Sequence, residues 1–232
     1  MWRSPGQRRR SARADLAGCG DLMGYLRGIR SVFFRNGPLV AIMALAFFSM
    51  LIMSAIVAYA LLLSSPSLVT FFTDMMGSVS GYVAIPPPYT SGLYRLIFLN
   101  NIGHFWNPVR VWVWLPFVGM LSLGFELVLN AVVIGGVISL VTLTKGGAYA
   151  VAGLLPHGIF EIPAFILEFA GLARWHVTTT RAIYAKLSGG RIDRPLLIQG
   201  VKDTLVLSFT SVALFAIAAY VETYVTPHFL GL

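Results

Sequence analysis

Pro156-His157-Gly158-Ile159-Phe160-Glu161-Ile162-Pro163 sets an imidazole and a carboxylate four residues apart inside an apolar run from Ala148 to Ala173. Four residues make about one helical turn, so the two side chains share a face. Glu168, seven residues beyond Glu161, extends that face into a polar stripe. Ionisable groups at membrane depth are expensive and usually face a partner, a cavity or a pathway. A stripe of this kind suits a proton or ion relay, or part of a metal site. The plainer alternative is a structural His–Glu hydrogen bond, with Glu168 close to the membrane surface. Pro156 and Pro163 flank the pair and can kink the helix that carries it.

A metal-dependent hydrolase needs more ligands than this stripe supplies. The chain has four histidines, His104, His157, His176 and His228, and lacks the zinc-protease pattern His-Glu-x-x-His. His157 and Glu161 with a second acid such as Glu126 would make a minimal set. A serine hydrolase is not signalled, because Gly-x-Ser-x-Gly is missing. Asn100, Asn101 and Asn130 join the candidate intramembrane polar site, with hydrogen bonding between helices as their simplest role. No phosphate-binding loop or dinucleotide fingerprint is present, so no cofactor and no enzymatic activity are expected.

The elements that position these residues are read from composition. Of 232 residues, 57% are hydrophobic and 11% charged, against about 25% charged in soluble domains. The chain therefore reads as all-α and polytopic. Residues 1–20 read as a disordered basic arm and 21–37 as an amphipathic helix lying on the membrane, ended by Asn36-Gly37-Pro38. Residues 38–232 form one transmembrane domain, with about five spans at 39–63, 111–127, 130–144, 149–172 and 204–224. Val111 to Leu143 is divided in two because one helix of that length would run about 50 Å, beyond the ~30 Å hydrocarbon core. That division puts a turn near Glu126–Asn130. Tyr94 to Asn107 reads as an interfacial helix, and Trp106, Trp112 and Trp114 as an interfacial belt.

The net charge is +8. Eight arginines precede Pro38 and six basic residues lie between Arg174 and Lys202. Five spans put both basic groups on one side, which the positive-inside rule makes cytoplasmic, with the C-terminus outside. The charge is thus explained by topology in the cell membrane and by anionic lipid at the N-terminal arginines, not by nucleic acid. Cys19 is the single cysteine, so no intrachain disulfide is possible.

From about Leu93 to Gly171 the chain resembles the stage II sporulation protein M family of integral membrane proteins. The cues are Phe98-Leu99-Asn100-Asn101, Asn130 with Gly135-Gly136, and Leu155-Pro156-His157-Gly158 continuing to Glu161-Ile162-Pro163-Ala164, then Gly171. One departure is Asn130-Ala131, where the family often has Asn-Gly. The resemblance implies a membrane scaffold, since the member in spore formers serves an engulfment complex with peptidoglycan-degrading partners. Relatives also occur in archaea without peptidoglycan. The expectation is a non-enzymatic, membrane-organising homo-oligomer with membrane or envelope protein partners. The alternative is a channel or transporter built on His157 and Glu161; an intramembrane metal-dependent hydrolase comes third.

Overall fold

The computed structural model describes residues 5–82 and 85–231, and every regular element among them is helical. Helix α1 (Pro5–Ser64) takes Pro38 inside it and includes residues read above as an arm and an interfacial helix; residues 1–4 lie outside the described residues. Asn36-Gly37-Pro38 does not end the helix. Proline's fixed φ is compatible with helix and removes one N–H. The Asn36 side chain donates to the Val32 carbonyl at 2.8 Å. The chain divides into two units, Met1–Pro38 and Leu39–Leu232.

In the second unit, α2 (Pro66–Tyr82) and α3 (Ser91–Asn101) precede two short 3-10 turns, Gly103–Phe105 and Val111–Trp114. Three long helices follow, α4 (Val118–Lys145), α5 (Gly147–Leu187) and α6 (Arg194–Tyr224), then the short α7 (Thr226–Leu230). Four helical stretches are long and apolar enough to cross a membrane: Arg27–Ser64, Val118–Lys145, Gly147–Leu187 and Arg194–Leu230. Their outer surfaces carry large bare hydrophobics such as Leu121, Phe125 and Phe209, which fits lipid contact.

The expected division at Glu126–Asn130 is not found, because α4 continues through it. Only Glu126 is charged in that stretch, and Asn130 donates to the Glu126 carbonyl one turn back at 2.8 Å, staying within the helix. Irregular backbone lies earlier, at 102–117, where the pattern predicts the start of a helical span. Phe117 ends it with φ of 67°, an unusual value for a bulky residue, as the chain turns into α4.

Contacts place this irregular segment along α5. Tyr89 N–H donates to the Thr223 carbonyl at 3.2 Å, and Thr223 sits beside the Glu222 and Thr226 that meet His157. Asn101 then meets Glu161, His104 meets Glu168, and Trp175 binds the Trp114 carbonyl. Residues 89–114 therefore descend past α5 from His157 to Trp175, about 27 Å of helix rise.

α4 and α5 form an antiparallel hairpin turned at Gly146, whose φ of 90° favours glycine. α5 and α6 form a second, capped where the Asp193 side chain accepts from Leu196 N–H at 3.0 Å. Arg174 pairs with fully buried Asp203 at 3.4 Å, tying these two helices. The core joins Phe47 of α1 to Leu123, Leu127, Phe165, Phe169 and Phe215. Phe165 meets Phe215 edge-on with centroids 5.0 Å apart. Small residues allow close approach: a Cβ on Gly135 would collide with Ser54, and Ser54 and Ser139 donate to the Ala131 and Ala55 carbonyls, each at 2.9 Å.

Gly119 and Gly136 on α4 make a paired test. A Cβ at Gly119 would strike the Val113 carbonyl and the His176 ring, whereas Gly136 faces open space. Gly119→Ala should lower stability by about 1–3 kcal/mol, and Gly136→Ala should change it by less than about 1 kcal/mol. Unfolding midpoints in detergent check both. Single cysteines at Lys145 and Ser188, in a Cys19→Ser background, should be reached by an impermeant maleimide from opposite sides of a vesicle. Labelling of both from one side would contradict the hairpin order.

Candidate functional site

All four glutamates of the chain, Glu126, Glu161, Glu168 and Glu222, lie on the long apolar helices. They gather into two clusters, one of them around His104. Its Nδ1 lies 2.8 Å from Glu168 Oε1, and its Nε2 contacts Glu126 Oε2. Both ring nitrogens face carboxylate oxygens, and Nε2 also lies 3.2 Å from Arg110 Nη2. Arg110 Nη2 donates to the same Glu126 oxygen at 3.2 Å. Arg110 and His104 thus face two carboxyl groups. His104 and Glu168 are fully buried, and Glu168 Oε2 has no hydrogen-bond partner among the described residues.

The irregular backbone around His104 is satisfied by side chains. Arg110 Nη1 donates to the Asn100 carbonyl at 2.7 Å, Trp106 to Leu99 at 2.7 Å, Trp114 to His104 at 2.8 Å and Trp175 to Trp114 at 2.8 Å. Trp106 and Trp114 therefore brace the segment, with Trp106 half-exposed. Protein groups thus supply the bonds that this non-helical backbone lacks.

The second cluster is His157, Glu161 and Glu222. One ligand-capable atom from each lies within 4.8 Å of the others. His157 Nε2 and Glu161 Oε2 are 3.6 Å apart, beyond a normal hydrogen bond. The remaining atoms are held from outside: His157 Nδ1 hydrogen-bonds Thr226 Oγ1 at 3.3 Å, and Asn101 Nδ2 donates to Glu161 Oε1 at 3.0 Å. The three side chains wall a cavity of about 840 Å³ that also reaches Asn100, Asn101 and Thr226. They border a second cavity of about 380 Å³ on the side of Val133 and Val137. About 15 Å of helix rise separates His157 from the start of α5.

The expected stripe is therefore divided. His157 and Glu161 stay together; Glu168, two turns on, belongs to His104. Glu126 also belongs to His104, so the acid that joins His157 and Glu161 is Glu222. Asn101 is in the cluster, Asn100 lines its cavity with an exposed side chain, and Asn130 is engaged with its own helix. α5 passes through both Pro156 and Pro163. Sequence reasoning missed Glu222, His104, Arg110 and Thr226. Glu222 carried a signal, a lone acid in the apolar run from Leu205 to Tyr224. His104 and Arg110 carried little, since the irregular segment has no periodicity.

The two clusters should respond differently to substitution. His104→Phe leaves Glu126 and Glu168 facing an apolar ring and should cost about 3–5 kcal/mol or abolish folding. Glu222→Gln should stay within about 1 kcal/mol of the parent, because the cavity wall can accommodate an amide. Thermal unfolding in nanodiscs compares them, and equal midpoints for His104→Phe and the parent would contradict the structural role.

The stage II sporulation protein M model matches residues 42–227. An uncharacterized protein of Methanocaldococcus jannaschii is 35% identical over 109 residues, covering 46% of this chain and 58% of that protein. The chain thus spans under two thirds of that relative's length. No solved structure matches. The family match covers the irregular segment and both acidic clusters, and the chain belongs to the stage II sporulation protein M family of membrane proteins.

Proposed function

We propose that this protein is a non-enzymatic channel or transporter for cations, with His157, Glu161 and Glu222 as its intramembrane binding point. The observation that carries the reading is the convergence of three ionisable side chains from α5 and α6 where two cavities meet. A purely structural acid would be enclosed and bonded, as fully buried Glu168 is beside His104. Here Glu161 and Glu222 border open volume instead. Intramembrane carboxylates beside a discontinuous helix are a usual arrangement for coupling ions.

The same reading counts residues 89–117 as a fifth, broken crossing beside the four long helices. Five crossings leave the basic N-terminal segment and the basic 174–202 loop on one side. By the positive-inside rule that side is cytoplasmic in the cell membrane, with the C-terminus outside and the arginines against anionic lipid.

A scaffold is the second reading, favoured by the apolar groove of about 790 Å³ between α1, α2 and α4 that includes Gly136. A second copy or another membrane helix would fit such a surface, and the protein would then work as an oligomer.

Flux separates the readings. Proteoliposomes should conduct at least one of H⁺, Na⁺, K⁺, Mg²⁺, Mn²⁺ or Zn²⁺ above empty vesicles, and Glu161→Gln should reduce that flux at least tenfold. No flux of any of these ions by the parent protein would overturn transport and leave the scaffold.

A further inference from the structure

We infer that His157, Glu161 and Glu222 bind a first-row divalent metal ion of the Zn²⁺ or Mn²⁺ class. The inference rests on the cation reading above and names its ion. Two metal bonds of about 2.1 Å at a tetrahedral angle set their ligand atoms about 3.4 Å apart. His157 Nε2 and Glu161 Oε2 are 3.6 Å apart, too long to bond each other and close to that spacing. Glu222 supplies the third ligand from the facing helix, within the 4.8 Å spread of the group.

The surrounding bonds support the same reading. A metal-binding histidine holds its other nitrogen in a hydrogen bond that fixes the ring, and a ligating carboxylate is fixed likewise. Thr226 does this for His157 Nδ1, and Asn101 does it for Glu161 Oε1. Both leave the inward atom available. These anchors come from α7 and α3, separate from the helices that carry the three ligands.

Chemistry narrows the ion. One imidazole and two carboxylates suit zinc, manganese or iron(II) better than an alkali cation, which seeks oxygen alone. Two carboxylates also balance one divalent charge, so the filled site is neutral where net charge is expensive. Three protein ligands leave a coordination position facing the cavity, through which an ion can enter and leave.

The test is equilibrium dialysis of chelator-stripped protein in nanodiscs against Zn²⁺ and Mn²⁺. One ion per chain should bind saturably. His157→Gln, Glu161→Gln and Glu222→Gln should each weaken binding at least tenfold, while His228→Ala should not. Absence of saturable binding, or loss on His228→Ala with none on Glu222→Gln, would overturn the site. Should a variant fail to fold, Co²⁺ in the parent protein still decides. Strong visible absorption of a low-coordinate nitrogen–oxygen site supports the inference, and the weak spectrum of hydrated cobalt overturns it. Metal binding without flux of any cation would remove the transport reading and keep the site. Flux of protons or alkali ions without metal binding would do the reverse.

Discussion

A backbone carbonyl shielded from water needs a protein donor, and irregular backbone leaves several without one at once. In this chain the interruption lies between Asn101 and Val118, and its cost is offset by specific donors. Arg110 and the indoles of Trp106, Trp114 and Trp175 take up the carbonyls of Asn100, Leu99, His104 and Trp114. Arg110 is itself paired with Glu126. The ion network around His104 and the irregular backbone therefore sustain each other. Removing one member leaves either a buried charge or an unmet carbonyl.

This brace also decides what α5 can do. One face of that helix carries His157, Glu161 and Glu168, and the descending segment lies along it. At the His104 level both acids are paired, and Glu168 is fully buried. Two turns away Asn101 takes only one oxygen of Glu161, and Glu222 arrives from α6. Residues of similar type along one helix thus have different work, and the difference comes from what the facing segment brings to each level. The closed cluster holds the fold; the open one has free ligand atoms and a cavity.

Much of this was legible in the sequence, for reasons that can be stated. His157 and Glu161 stay together because one helical turn fixes them locally, whatever the tertiary structure. The apolar runs marked the long helices because length and hydropathy alone determine them. Glu168 followed the same face but met another partner, since helix periodicity says nothing about what lies opposite. A turn at Glu126 followed from the excess length of a single helix through Val111–Leu143. The structure resolves this by starting α4 at Val118 and leaving the residues just before it irregular. Glu222 entered from α6, a pairing of helices that one-dimensional patterns do not contain. His104 and Arg110 stand in a segment whose shape comes from long-range side-chain bonds, so no local signal announced them.

On our proposal, the open site of His157, Glu161 and Glu222 persists because the ion network around His104 holds the neighbouring segment in place. A density map of the protein in lipid nanodiscs, resolved to side chains and recorded with Zn²⁺ present, tests this most directly. Density for an ion is expected between His157, Glu161 and Glu222, facing a hydrated cavity, with His104 between Glu126 and Glu168. A dry, closed interface there, with Glu222 turned toward a neighbouring subunit, would contradict it.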